Sequence, residues 1–114
     1  MAKKCNEYYL EKIIGEIHYI VKLIQGISFE EFTSNVLIKD STCFRFIQIS
    51  EYGKILEREL IDKNKQIPFN KIVGLRNRIV HDYGEVDLTV IYKTATNDLL
   101  PLRSQLEELL TKLK

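Results

Sequence analysis

Apolar residues recur at three- and four-residue steps over most of the chain, and that spacing constrains the fold more than any other feature of the sequence. Leu10, Ile13, Ile14, Ile17, Val21 and Ile24 draw one apolar stripe, the pattern of a helix with a single buried face. Leu88, Ile91, Ala95, Leu99, Leu102, Leu106 and Leu109 draw another. Five Gly and two Pro are too few for the tight turns of a β-sandwich or barrel. The expected fold is all-α, an antiparallel bundle of four main helices plus a short connecting helix, in one domain spanning residues 1–114. A chain of 114 residues buries roughly two-thirds of its unfolded surface, enough for a core without disulfides or metals.

Caps and breakers divide the bundle. Gly26 stops the first helix, and Ser28 with Glu31 forms a capping-box pattern that starts a short helix through Phe32. A second helix is expected from Asp40 or Ser41 to about Asp62, with Phe44, Ile47, Ile49, Leu56 and Leu60 as its apolar positions. Gly53 within it points to a close helix crossing. Asp62 to Gln66 reads as a loop, and Ile67-Pro68-Phe69 opens a third helix that ends at Gly84. Asp87 caps the fourth helix, which Pro101 should kink by removing a backbone donor.

Charge and cysteine content exclude several functions. Seventeen basic against sixteen acidic residues give a net charge of +1, so any nucleic-acid contact must come from a local patch. Lys3, Lys4, Lys63, Lys65, Lys71 and Arg78 are its candidates, most of them expected as solvated surface. Cys5 and Cys43 are far apart and lack metal-ligand spacing, so no metal site is expected. The most apolar stretch, Ile13 to Ile27, is interrupted by charge and too short to span a bilayer. No secretory segment is evident at the start of the chain, so a reducing cytoplasm is the expected compartment and no membrane partner is expected.

One segment carries chemistry: Ile72-Val73-Gly74-Leu75-Arg76-Asn77-Arg78-Ile79-Val80-His81-Asp82-Tyr83. On a helical wheel Arg76 falls inside the apolar sector, Tyr83 lies about 20° from it, and Asn77 and His81 share a flank about 100–140° away. A guanidinium there must either snorkel to water or find a partner, because burying it alone costs several kcal/mol or more. Arg grips phosphate in two prongs, His is the side chain most readily poised near neutral pH for proton transfer, and Asn can orient either group. RNA supplies its own nucleophile, the 2′-hydroxyl, so no cofactor or metal is required. Arg76 and His81 diverge by about 140° on one ideal helix, an arrangement that two copies apposed about a two-fold axis would complete. His18 lies beside the first apolar stripe and reads as structural, and the Tyr8-Tyr9 pair reads as core cover.

The run Arg76 to Tyr83 matches the Arg-x4-His-x-Tyr motif of HepT-like toxins, helical ribonucleases of the HEPN group. The flanks resemble that family too. Ile67-Pro68-Phe69 is similar to its I-P-W, Ile72-Val73-Gly74-Leu75 to its I-I-G-L and Val86-Asp87-Leu88 to its V-D-L. Asn97-Asp98-Leu99 and Gln105-Leu106-Glu107 resemble its N-D-L and Q-L-E tail, so the resemblance covers nearly the whole chain. Two positions depart from it: Tyr52 stands where the family usually has alanine, and Pro101 lies one position later than usual.

The resemblance implies an all-helical, usually dimeric, metal-independent endoribonuclease of a toxin–antitoxin pair, working as a homodimer or higher even oligomer on RNA. Arg76 and His81 match its catalytic pair, and Asn77 its following polar residue. Tyr83 matches the tyrosine that a minimal nucleotidyltransferase antitoxin modifies with AMP, which would set a bulky anion beside the phosphate-binding Arg76. Glu51 aligns with a glutamate of the family's second helix and reads as a partner for Arg76. The alternative is a non-catalytic helical module that binds a partner nucleotidyltransferase. Activity separates the two, and the intact Arg76, His81 and Tyr83 favour the ribonuclease.

Overall fold

The computed structural model describes the backbone of residues 2–81 and 88–114, and the side chains of residues 5–79 and 88–114. The described residues are all-α, arranged as a helical bundle. Helix α1 (Ala2–Ile24) buries Leu10, Ile13, Ile17 and Ile24 of the expected stripe together with Ile20, while the expected Ile14 and Val21 are only half-buried. Gly26 turns the chain with φ of 75°, a left-handed conformation that glycine adopts without the steric cost of a Cβ. Helix α2 (Phe29–Ser34) starts on a complete capping box: Ser28 Oγ accepts from the Glu31 amide while Glu31 accepts from the Ser28 amide, both at 3.1 Å.

The second long helix differs from expectation at both ends. Helix α3 (Val36–Ile55) starts before Asp40, because Asn35 caps it by accepting from the Ile38 amide. It stops at Leu56, which turns into the core, and α4 (Arg58–Lys63) follows as a separate short helix that includes Asp62 and Lys63. The amide of Glu57 at this break donates to Oδ1 of the buried Asn6 from α1, at 3.1 Å. Phe44, expected in the core, is exposed, and Phe46 is buried in its place.

Helix α5 (Phe69–His81) follows Ile67-Pro68 as expected and buries Phe69, Ile72, Leu75 and Ile79. Its end at Gly84 and the Asp87 cap lie outside the described residues. The last expected helix is three segments: α6 (Leu88–Lys93), a π-helical turn (Thr94–Asp98) and α7 (Leu99–Leu113). Pro101 has no amide to offer the carbonyl of Asn97, and its ring crowds that carbonyl; the wider turn just before it accommodates both effects. Among the described residues α4 thus joins α2 as a second short helix between the long ones, where one was expected.

Helix α1 packs between α3 and α7, and α3 packs on its other side against α5. The α3–α5 contact is close: a Cβ added to Gly53 would meet Ile72 Cγ2 at 3.2 Å and Val73 Cγ2 at 3.4 Å. The buried hydroxyl of Ser50 donates to the Val73 carbonyl across the same contact. α5 is thus fixed against α3 one turn before Arg76.

Candidate functional site

The buried face of α5 is centred on Leu75, Ile79 and Ile72, and Val73 is only half-buried. Arg76 lies between Ile72 and Phe69 on the wheel, inside that face as expected, yet its side chain is 38% exposed. Its stem follows the helix surface while its head reaches solvent. Glu51 of α3, 45% exposed, meets it with an Nε–Oε1 distance of 2.9 Å. The same carboxylate has Lys54 Nζ at 3.8 Å. Ser50 and Gly53, on the opposite side of α3, seat that helix on α5, so the ion pair spans a rigid contact rather than two mobile arms.

Asn77 is exposed beside Arg76. His81 closes helix α5 one turn beyond Asn77; its side chain lies outside the described residues, and so does Tyr83. The structure thus brings Glu51 to Arg76, with Asn77 alongside. Glu51 could not have been found from periodicity, because an exposed acid on a helix is unremarkable there; the family resemblance pointed to it. Ser50 was missed altogether. Its one signal was its place three residues before Gly53, on the same face of α3.

The α3 surface around Glu51 is rich in apolar residues. Val36, Ile47, Phe44, Leu37 and Ile55 fall within about 100° of one another on the wheel, and Glu51 lies in the middle of that arc. Four of them are exposed, Leu37 by 82%, while Ile47 is half-buried. Asp40 and Lys54 are exposed in the same arc, so the result is a mixed face in which apolar side chains flank the charged Glu51–Arg76 pair.

Other sequence-marked residues stand apart from this site. His18 is on the surface rather than in the core, with Nδ1 3.4 Å from Arg103 Nη1. Tyr9 covers the core and stacks obliquely on Tyr52, at 5.9 Å between centroids, whereas Tyr8 is exposed. Lys63 is tied to Glu59 at 2.9 Å, which holds the Glu59 carboxyl below its ordinary range. Lys65, Lys71 and Arg78 are exposed, and the side chains of Lys3 and Lys4 lie outside the described residues. No helix among the described residues is long and apolar enough to cross a membrane.

Comparison with known proteins agrees with this picture. The family model described as "Ribonuclease HepT-like" matches residues 12–109. A protein named a putative RNase from Caldanaerobacter subterraneus subsp. tengcongensis is 30% identical, the match covering 93% of this chain and 95% of that one. A protein named a probable ribonuclease HepT from Thermococcus cleftensis is 29% identical over 94% of this chain and 97% of its own length. No solved structure matches. With the family model spanning α1 to α7, and the helical bundle and the Arg76–His81 segment lying inside it, the chain belongs to the HepT-like ribonuclease family.

Proposed function

We propose that the protein is a metal-independent endoribonuclease, the toxin of a toxin–antitoxin pair, cutting RNA at a site shared between two copies of the chain. The observation that carries this reading is the half-exposed guanidinium of Arg76, oriented through Nε by Glu51 and flanked by exposed apolar side chains of α3. A cation held in that way can receive a phosphate without leaving its support.

In the proposed reaction His81 takes the proton of a 2′-hydroxyl, and the oxygen attacks the adjacent phosphorus. The 5′-oxygen leaves as a hydroxyl, taking its proton from water, and a 2′,3′-cyclic phosphate remains. Arg76 binds the non-bridging oxygens, on which charge builds in the transition state, and Asn77 orients the phosphate. Helical register separates Arg76 from His81 by about 140°, so two chains paired through the α3 face would bring complementary halves together. AMP attached to Tyr83 by a nucleotidyltransferase antitoxin would place a competing phosphate seven residues along the chain from Arg76 and silence the enzyme.

The test is cleavage of total RNA by the purified protein in EDTA, beside His81→Ala. Cleavage by the parent alone supports the reading. Equal cleavage by both removes His81 from the mechanism, and cleavage that needs an added metal overturns the metal-free reaction.

A further inference from the structure

A second face of α5 looks away from Glu51 and forms one wall of a groove of about 780 Å³, closed on the other side by the π-turn and α7. Its floor is apolar, with Leu75, Leu99 and Leu102, and among the described residues its rim carries Lys71, Arg78 and Lys93 against one carboxylate, Asp98. Seven ion pairs join cations to carboxylates among the described residues, and none of them includes Lys71, Arg78 or Lys93. Among the described residues this rim therefore carries more cation than carboxylate.

Gly74 gives an independent indication. It sits in the interior of α5 and lines the groove, where glycine weakens a helix relative to alanine. A Cβ added there would meet nothing within 4 Å, so packing inside the chain does not require the glycine, in contrast to Gly53. A bare backbone on a groove wall is what a close-lying ligand would use. The opposite wall is the π-turn, an irregularity often found where helices serve a function.

Resting on the ribonuclease reading above, we infer that this groove binds the single-stranded flank of the RNA substrate, with phosphates on Lys71, Arg78 and Lys93 and a base against the leucine floor beside Gly74. Lys71 and Arg78 are two turns apart on α5, about 10 Å, a spacing suited to successive phosphates rather than to one small anion. His81 follows Arg78 by three residues, so a single strip of α5 runs from the proposed cutting residue into the groove. Four of the eight large exposed apolar side chains, Val36, Leu37, Phe44 and Ile55, lie on α3, whereas only Leu100 adjoins this groove.

The experiment measures fluorescence anisotropy of a short, mixed-sequence 2′-O-methyl RNA binding to the full chain across a salt series. Lys71→Ala with Lys93→Ala should weaken binding about tenfold or more and lower the salt slope by about 1.4, the value for two phosphates on a single strand. Gly74→Ala should raise Tm by a few degrees and still weaken binding, a combination that a merely structural glycine would not give. Parental affinity and slope in the double variant, or unchanged binding by a stabilised Gly74→Ala, would overturn the inference while leaving the ribonuclease reading intact. A change of oligomeric state in the double variant would reassign the groove to contact between copies. A parent that neither binds nor cuts RNA would remove both.

Discussion

Glu51 holds two cations on one carboxylate, and its role is geometric more than energetic. Both partners of the 2.9 Å contact with Arg76 are more than a third exposed, and an ion pair in that setting contributes at most about 1 kcal/mol. Glu51→Gln should therefore leave Tm within a few degrees of the parent, while the rate of RNA cleavage falls about tenfold or more as Arg76 loses its orientation. Thermal denaturation and initial cleavage rates measured side by side check this, and a parental rate would assign Glu51 to the surface alone. Arg76 was legible in the sequence because a guanidinium among Ile72, Leu75 and Ile79 breaks a helical pattern. Its exact depth was not, since that depends on Val73 being only half-buried by α3. Ser50 has only the neighbouring Gly53 to mark it, because a serine inside a helix is neutral until a neighbouring helix brings a carbonyl to it.

Helices α1 and α5 follow periodicity and punctuation, and the sequence locates them well. The α3–α4 segment does not, because its boundaries are set by partners distant in sequence. The break at Leu56 persists because Asn6, fifty-one residues from Glu57, accepts the amide that the broken helix leaves behind. Asn6→Ala should strand that donor and cost about 1–3 kcal/mol of stability, read from urea unfolding at constant m-value. A loss under a few tenths would show that solvent replaces the side chain. Likewise, the even apolar spread of α3 concealed which face is buried. Phe44 and Phe46 are equally hydrophobic, and only packing against α1 and α5 decides between them. Pro101 signalled a disturbance in the last helix, but the wide turn at Thr94–Asp98 is one of several ways to absorb it.

At the scale of the molecule, the mixed face of α3 and the divergence of Arg76 from His81 have one common solution, a two-fold pairing of chains. An added, unpaired charge at the exposed end of that face should oppose it. Leu37→Lys removes nothing from the core, since Leu37 is 82% exposed, so the fold should persist with unchanged helicity. Analytical ultracentrifugation should then find a dimer for the parent and a monomer for the variant, and the monomer should not cut RNA. A monomeric parent with full activity would place the whole site on one chain. The all-α bundle was legible from spacing alone, whereas the proposed pairing of copies draws on α3 and α5 together. The central claim is that the substrate's own 2′-hydroxyl performs the cleavage, and the ends of the RNA products report on it most directly. Mass spectrometry of fragments made in EDTA should find 2′,3′-cyclic phosphates on the upstream pieces and 5′-hydroxyls on the downstream ones. Fragments with 3′-hydroxyl and 5′-phosphate ends would contradict the account.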